Sequence, residues 1–113
     1  MRQHQLDFAE GFRVACTVRE GQAAVMTIAP RDGEGGPDNR HRGADQWLYV
    51  VEGEGTAVVE DTEVPLRAGT LLVIEHGERH EIRNDGDAPL RTLNFYYPPA
   101  FDRGGDPVGP GKG

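Results

Sequence analysis

The sequence predicts a single all-β domain of about eight strands, and three features of the chain support this fold class. Helical periodicity is hard to find anywhere along the 113 residues. Short runs rich in β-branched and aromatic residues recur instead, about every 8 to 12 positions. Turns such as Glu20-Gly21, Gly53-Glu54-Gly55 and Asn84-Asp85-Gly86-Asp87 separate these runs. This pattern is typical of a β-sandwich or a β-barrel.

The boundaries of the strands follow from the turn residues. Glycine tolerates a positive φ, and Asn and Asp side chains bond their own backbone, so each turn has a chemical reason to end a strand. Further turns of this kind are Arg67-Ala68-Gly69 and Glu75-His76-Gly77. In chain order, the predicted strands are Phe12 to Arg19, Gln22 to Ala29, Gln46 to Glu52, Gly55 to Asp61, Glu63 to Leu66, Leu71 to Glu75, Arg79 to Arg83, and Leu90 to Tyr97.

Two segments are not predicted to be strands. The stretch from Pro30 to Gly43 is rich in glycine and proline, which indicates a long loop at the rim of a pocket. Residues 98–113 are similarly rich in proline and glycine and are predicted to be a C-terminal tail that follows one barrel domain, residues 1–97, with an N-terminal arm. Phe101 and Val108 leave open that this tail packs against the barrel or a partner subunit.

Composition excludes several classes of partner. The net charge of −7 disfavours nucleic acids and anionic membrane surfaces, which require a positive stripe. The chain has no apolar run of the roughly 18 to 20 residues that cross a bilayer, and its start does not resemble a signal peptide. Cys16 is the only cysteine, which excludes an intrachain disulfide. We therefore expect a cytoplasmic protein that binds neither nucleic acid nor membrane.

Two spaced groups of residues carry the functional signal. The first consists of Gly33, Asn39, His41, Gln46 and Gly53, and the second of Gly69, Gly77, His80 and Asn84. Their offsets match the two motifs of the cupin superfamily, G-x5-H-x-H-x4-E-x6-G and G-x5-P-x-G-x2-H-x3-N. The chain resembles small single-domain cupins over about residues 22–99. Asn39 stands where the first motif has a His, Gln46 where it has a Glu, and Glu75 where the second motif has a Pro.

The resemblance implies a double-stranded β-helix, which is a jelly-roll barrel with the motif residues facing inward near one open end. It also implies a metal site formed by His41, His80, Gln46 and Asn39, for a divalent transition metal such as Zn, Ni, Fe, Mn or Cu. The two amides bring no negative charge, so the affinity of the site should be lower than with a carboxylate. A barrel that holds no metal is the alternative.

Strand alternation supports inward positions for two of these residues. Gln46 and Leu48 share one face of their strand, and His80 and Ile82 share one face of theirs. Asp45 would become a ligand only if the strand register slipped by one residue, and otherwise it is an exposed charge. His76 is expected at the pocket rim, in a turn. Asn84 is expected to satisfy backbone groups of its own turn.

Two functions remain open from the sequence. The first is a metal-dependent enzyme of the oxygenase or isomerase type, which acts on a small organic molecule in the barrel. Its difficulty is that Gln46 is neither a charged ligand nor a general base. The second is a non-catalytic barrel in which amides and imidazoles bind a small molecule by hydrogen bonds, without a metal.

The remaining aromatic residues bear on the pocket and on oligomeric state. The closing strand alternates Leu90, Thr92, Asn94 and Tyr96 with Arg91, Leu93, Phe95 and Tyr97, and the sequence leaves open which set faces inward. Trp47 and Tyr49 lie on the face opposite Gln46 and are expected to point outward. Outward aromatic residues on a sheet favour a partner that covers them, so a homodimer is expected.

Overall fold

The computed structural model describes residues 1–35, 43–102 and 106–107. Within these residues the chain is all-β, as predicted, and no helix is long and apolar enough to cross a membrane. Nine strands are present among the described residues: β1 Gly11–Val18, β2 Gly21–Ile28, β3 Gly33–Gly35, β4 Asp45–Glu52, β5 Glu54–Val59, β6 Thr62–Arg67, β7 Leu71–Ile74, β8 His80–Arg83 and β9 Leu90–Tyr97.

The additional strand, β3, corrects one prediction. The segment from Pro30 to Gly43 was expected to be a loop because of its glycines, but Gly33–Gly35 pairs antiparallel with β8. A Cβ atom at position 33 would lie only 3.1 Å from the Ile82 carbonyl oxygen. Gly33 has no Cβ and therefore tolerates this close pairing. The glycines therefore permit a short edge strand that the composition had argued against.

The strands form two antiparallel sheets that enclose one interior. The five-stranded sheet has the order β1-β2-β9-β4-β7, and the four-stranded sheet has the order β3-β8-β5-β6. Neighbouring strands are mostly distant in sequence, since the chain crosses repeatedly between the two sheets, as in a jelly roll. The predicted double-stranded β-helix is confirmed.

The inward faces follow the alternation of the strands. On β4 the even-numbered residues Gln46, Leu48 and Val50 are buried, whereas Trp47 is 45 % exposed. On β9 the buried set is the one that contains Thr92, Asn94 and Tyr96, and Phe95 lies on the outer face. The closing strand thus contributes polar groups and one phenol to the interior.

The described part of the chain forms two apolar clusters in the interior. The larger lies between the two sheets and consists of Met26, Ile28, Leu48, Val50, Ala57, Leu66, Ile74, Ile82 and Leu90. The smaller consists of Ala24, Ala44, Tyr96 and Ala100, with Phe12 and Phe101 packed against it. Burial of each large aliphatic side chain contributes about 1.5 to 3 kcal/mol to folding. These clusters hold the strands that carry the buried polar residues.

Tight glycine turns keep the two sheets in register. Gly53 has a φ of +98°, a conformation that side chains with a Cβ rarely adopt. At Gly55 an added Cβ would collide with the Arg83 carbonyl oxygen and approach the Leu90 side chain. Gly53, the last glycine of the first motif, is therefore required by the backbone turn between β4 and β5.

Residues 98–102 pack against the barrel through Gln22, a buried residue of β2. Its Oε1 accepts from the backbone N–H of Ala100 at 3.0 Å and of Phe101 at 3.1 Å. Its Nε2 donates to the Phe101 carbonyl at 2.7 Å and to Thr17 Oγ1 at 2.9 Å. The Phe101 ring contacts Phe12 and Tyr96, with centroid separations of 4.6 and 5.1 Å. The first residues after β9 are thus part of the packed domain.

Candidate functional site

Gln46 lies on the inner face of β4 and is only 3 % exposed. Its side-chain Nε2 donates a 2.9 Å hydrogen bond to Asn94 Oδ1 on the adjacent strand β9. Its Oε1 is buried, and no donor among the described residues reaches it. A buried carbonyl oxygen with no donor costs free energy unless something pairs with it. Gln46 therefore presents an acceptor to the interior.

Asn94 continues a chain of buried polar groups along β9. Its Nδ2 donates to Thr92 Oγ1 at 2.9 Å, and the Thr92 hydroxyl donates to the Met26 carbonyl at 2.9 Å. Asn94 and Thr92 are fully buried. We call Met26, Thr92, Asn94 and Gln46 the amide relay. This relay links a backbone carbonyl of β2 to the buried Oε1 of Gln46.

His80 enters the interior from the opposite sheet, at the start of β8. It is 5 % exposed, and its ring Nδ1 lies 3.3 Å from the Glu78 carbonyl oxygen. A carbonyl only accepts, so Nδ1 carries the proton and the lone pair resides on Nε2. Burial lowers the pKa of His80 below its usual 6.5, against the opposing effect of the Glu78 carbonyl. The imidazole is neutral at neutral pH.

The other two predicted ligands cannot be placed. Asn39 and His41 lie outside the described residues. Among the ranges that the structure describes, no group of three or more His, Cys, Asp or Glu side chains comes together in a way that would hold a metal ion. Of the four predicted ligands, the structure places two on inner faces, Gln46 on the five-stranded sheet and His80 on the four-stranded sheet. The four-residue ligand set stays a prediction.

Three further polar residues of the motif regions, His76, Asp45 and Asn84, form hydrogen bonds of their own. His76 and Asp45 form a pair on the surface, in which Asp45 Oδ1 accepts from the His76 backbone N–H at 2.8 Å and lies 2.9 Å from the His76 ring Nδ1. These hydrogen bonds lower the pKa of Asp45. Asn84 satisfies its own turn, since Nδ2 donates to the Ala88 carbonyl and Oδ1 accepts from the Gly86 N–H. Nδ2 also donates to the Ile28 carbonyl on β2.

Sequence reasoning missed three inward residues. Asn94 and Thr92 belong to one of the two alternating sets of β9, and the buried Leu90 of that set is the signal that would have selected it. The third is Glu34, which pairs with the core residue Ile82 across β3 and β8 and so projects to the same face. Although Glu34 is exposed, partial desolvation and the nearby Asp32 carboxylate raise its pKa. Burial raises the pKa of the Tyr96 hydroxyl, and the negative charge of Glu34 adds to this effect.

The donor set of the described residues fits a divalent transition ion. Imidazole nitrogen suits zinc, copper, nickel and iron, and an amide oxygen is an acceptable further ligand. Gln46 Oε1, which no donor among the described residues reaches, and the Nε2 lone pair of His80 are both Lewis bases, that is, electron-pair donors. Both are uncharged, so an ion bound there keeps its charge until an anion or a third residue neutralises it.

Comparisons with known proteins agree with this fold. The family model described as "Cupin domain" matches residues 24–96. The tetracenomycin polyketide synthase protein TcmJ of Streptomyces glaucescens is 34 % identical over 68 residues, which cover 60 % of this chain and 44 % of that protein. The oxalate-binding protein of Thermotoga maritima is 33 % identical over 55 residues, which cover 49 % of this chain and 46 % of that protein.

A solved structure supports the same grouping. The crystal structure of a predicted oxalate decarboxylase from Thermotoga maritima is 27 % identical, with a TM-score of 0.65, and the match covers 71 % of this chain and 69 % of that one. The chain spans about half the length of these curated relatives. The matched family model covers most of the barrel, from β2 to β9, and this chain belongs to the cupin family.

Proposed function

We propose that this cupin binds a divalent transition metal in its barrel and acts on a small organic molecule held beside the ion. His80, His41, Gln46 and Asn39 are the ligands, and the reaction is of the oxygenase or isomerase type. The observation that carries the proposal is the state of His80. Its Nδ1–H is committed to the Glu78 carbonyl, and the ring is buried and neutral.

This arrangement is the one that metal-binding histidines usually adopt. A ligating His donates its other ring N–H to a carbonyl or carboxylate, which fixes the tautomer and the orientation of the ring. Gln46 supports the same conclusion from the opposite sheet, because its buried Oε1 has no donor among the described residues.

The neutral ligands favour an anionic small molecule as the species that completes the site. An ion bound by imidazoles and amides retains two positive charges in a low-dielectric cavity, so binding of a carboxylate or enolate beside it is stabilising. The relative named an oxalate-binding protein is consistent with such a ligand. Once bound, the ion would act as a Lewis acid that polarises an oxygen of the substrate.

Metal content of protein purified without an affinity tag tests the proposal. We expect close to one equivalent of a transition metal in the wild type and loss of that metal in His41→Ala and in His80→Ala. The matched control is His76→Ala, which removes an imidazole that is paired with Asp45 on the surface and should leave metal content unchanged. Wild-type protein that holds no metal, and whose melting temperature does not respond to added Zn, Ni, Mn or Fe, would sink the proposal.

A non-catalytic barrel without a metal is the second candidate. The observation that favours it is the amide relay, which leaves one uncharged acceptor, Gln46 Oε1, for an O–H or N–H donor of the kind that sugars and carboxamides carry. In that case His80 and Gln46 bind the small molecule directly. Metal-free protein that binds such a ligand with the same affinity in the presence of a chelator supports this candidate over the first.

We also propose that the protein is a homodimer that covers the outer face of the five-stranded sheet. Large apolar side chains are exposed on that face, on strands β4, β7 and β9: Trp47, Tyr49, Val51, Leu71, Val73, Phe95 and Tyr97. An apolar groove of about 560 Å³ runs through this face beside β1 and is lined in part by Trp47, Leu71 and Phe95. Contiguous apolar surface of this kind marks an interaction site.

A further inference from the structure

The amide relay has one fixed end, which sets the direction of every hydrogen bond in it. The Met26 backbone carbonyl lies 2.9 Å from Thr92 Oγ1 and can only accept. The Thr92 hydroxyl must therefore donate its single proton to Met26. Its oxygen then has only lone pairs left for its other neighbour, the Asn94 amide at 2.9 Å.

The orientation of Asn94 follows from this. The Asn94 group beside Thr92 Oγ1 must be the donor, Nδ2, because two acceptors would repel each other. Its oxygen, Oδ1, consequently faces Gln46 and requires a donor. Gln46 must therefore donate from Nε2 to Asn94 Oδ1, at 2.9 Å, and its Oε1 points away from Asn94. Neither Asn94 nor Gln46 can turn its amide over without breaking a buried hydrogen bond.

We propose that Thr92 and Asn94 are positioning residues that hold the Gln46 amide with its carbonyl oxygen towards the bound species. The inference rests on the proposed ligand role of Gln46 and goes beyond it in one respect. The fixed Oε1 of Gln46 makes its position in the barrel specific for a cation or for the N–H or O–H donor of an organic ligand. A carboxylate or phosphate oxygen is rejected at this position, because it meets a carbonyl oxygen that cannot turn.

Removal of the Thr92 hydroxyl tests the positioning role. In Thr92→Val, the Asn94 Nδ2 would face a methyl group, and a buried amide N–H without a partner is less tolerable than a carbonyl oxygen without one. If Asn94 and Gln46 both turn over, the unpaired N–H moves from Asn94, beside the new methyl group, to Gln46 Nε2 on the pocket side, where water can accept from it. Nε2 then replaces Oε1 at the site. The fraction of molecules that present the carbonyl falls to about a fifth, which weakens cation binding roughly fivefold.

Two matched variants separate positioning from general destabilisation. Thr92→Ser keeps the hydroxyl and should restore cation binding to within about twofold of the wild type. Thr27→Val makes the same change on neighbouring β2, at a buried hydroxyl for which the described residues supply no hydrogen-bond partner. It should leave cation binding unchanged. The probe is Co²⁺ alone, followed by its visible ligand-field spectrum, which also changes if an amide nitrogen replaces the oxygen.

A second readout does not depend on metal binding. In the nuclear Overhauser spectrum of ¹⁵N-labelled wild-type protein, the Asn94 side-chain NH₂ should show contacts to the Thr92 methyl group, and the Gln46 NH₂ should exchange slowly with water. In Thr92→Val the Asn94 NH₂ contacts should move to Gln46. If wild type binds no Co²⁺, the metal proposal fails while this spectrum still decides the relay.

Two results overturn the inference. One is an Asn94 NH₂ that contacts Gln46 rather than Thr92 in the wild type. The other applies if the wild type binds Co²⁺, and it is binding that is equal in the wild type and Thr92→Val, or reduced equally in Thr92→Val and Thr27→Val.

Discussion

Restoring a carboxylate at position 46 should raise metal affinity strongly. In Gln46→Glu, the new oxygen occupies a site that is 3 % exposed and therefore of low effective dielectric. At a coordination distance of about 2 Å and an effective dielectric constant of about 20, a single negative charge attracts each positive charge of the ion by roughly 8 kcal/mol. Desolvation of the carboxylate opposes this by several kcal/mol. The replaced amide oxygen also attracted the ion, so only part of this attraction is a gain. If that part is as small as roughly 2 to 4 kcal/mol, binding still tightens about 30-fold to 1,000-fold.

The same substitution should destabilise the metal-free protein. The Gln46 amide now donates to Asn94 Oδ1, and a carboxylate in its place would set two acceptors against each other until Asn94 turns over. Burial raises the pKa of such a carboxyl above its unfolded value, so the metal-free variant is most stable at low pH and loses stability as pH rises through the raised pKa. Metal should reverse that loss.

Competition with a chromophoric chelator gives the affinity, and thermal unfolding with and without metal gives the stability. Gln5→Glu is the matched control, because it adds the same charge at an exposed position of the N-terminal arm and should change neither quantity. Unchanged or weaker metal binding in Gln46→Glu would show that Gln46 is not a ligand and would refute the reasoning.

Three further predictions concern His80, Gln22 and the outer sheet face. Because the folded pKa of His80 lies below 6.5, the metal-free protein should lose stability as pH falls from 6.5 through the lowered pKa, and urea titrations should show that His80→Gln removes this dependence. Gln22→Leu deletes three bonds to Ala100 and Phe101 and should cost about 2 to 3 kcal/mol in urea unfolding, with faster proteolysis after residue 98. Trp47→Lys should convert a dimer into a folded monomer by light scattering, and an unchanged mass would contradict the assigned interface.

The fold could be predicted from the sequence because its determinants are local. Strand alternation and turn glycines depend on neighbouring residues, and the inward positions of Gln46 and His80 follow from them. The strand β3 could not be predicted, because pairing of Gly33–Gly35 with β8 depends on a partner about 50 residues away and not on strand propensity. The packing of Phe101 depends likewise on Gln22, which no motif marks.

The site could be predicted only in part for the same physical reason. Spacing identifies which residues face inward on β4 and β8, but hydrogen-bond direction is a property of the assembled interior. Asn94 and Thr92 became significant only when β9 was placed between β2 and β4, which put one backbone carbonyl and one amide at the two ends of their side chains. Asn39 and His41 remain predictions from the motif.

The amide relay also gives a reason why position 46 suits an amide rather than an acid in this chain. A glutamate accepts only, whereas the Asn94 oxygen that faces position 46 also accepts, so the two would be compatible only if Asn94 presented its Nδ2. That would turn the Asn94 oxygen towards Thr92, draw the hydroxyl proton away from the Met26 carbonyl and leave that buried carbonyl without this donor. Gln46, Asn94 and Thr92 thus form one matched unit. The amide at position 46, where the motif has a carboxylate, depends on the hydrogen-bond directions of Asn94 and Thr92 on β9.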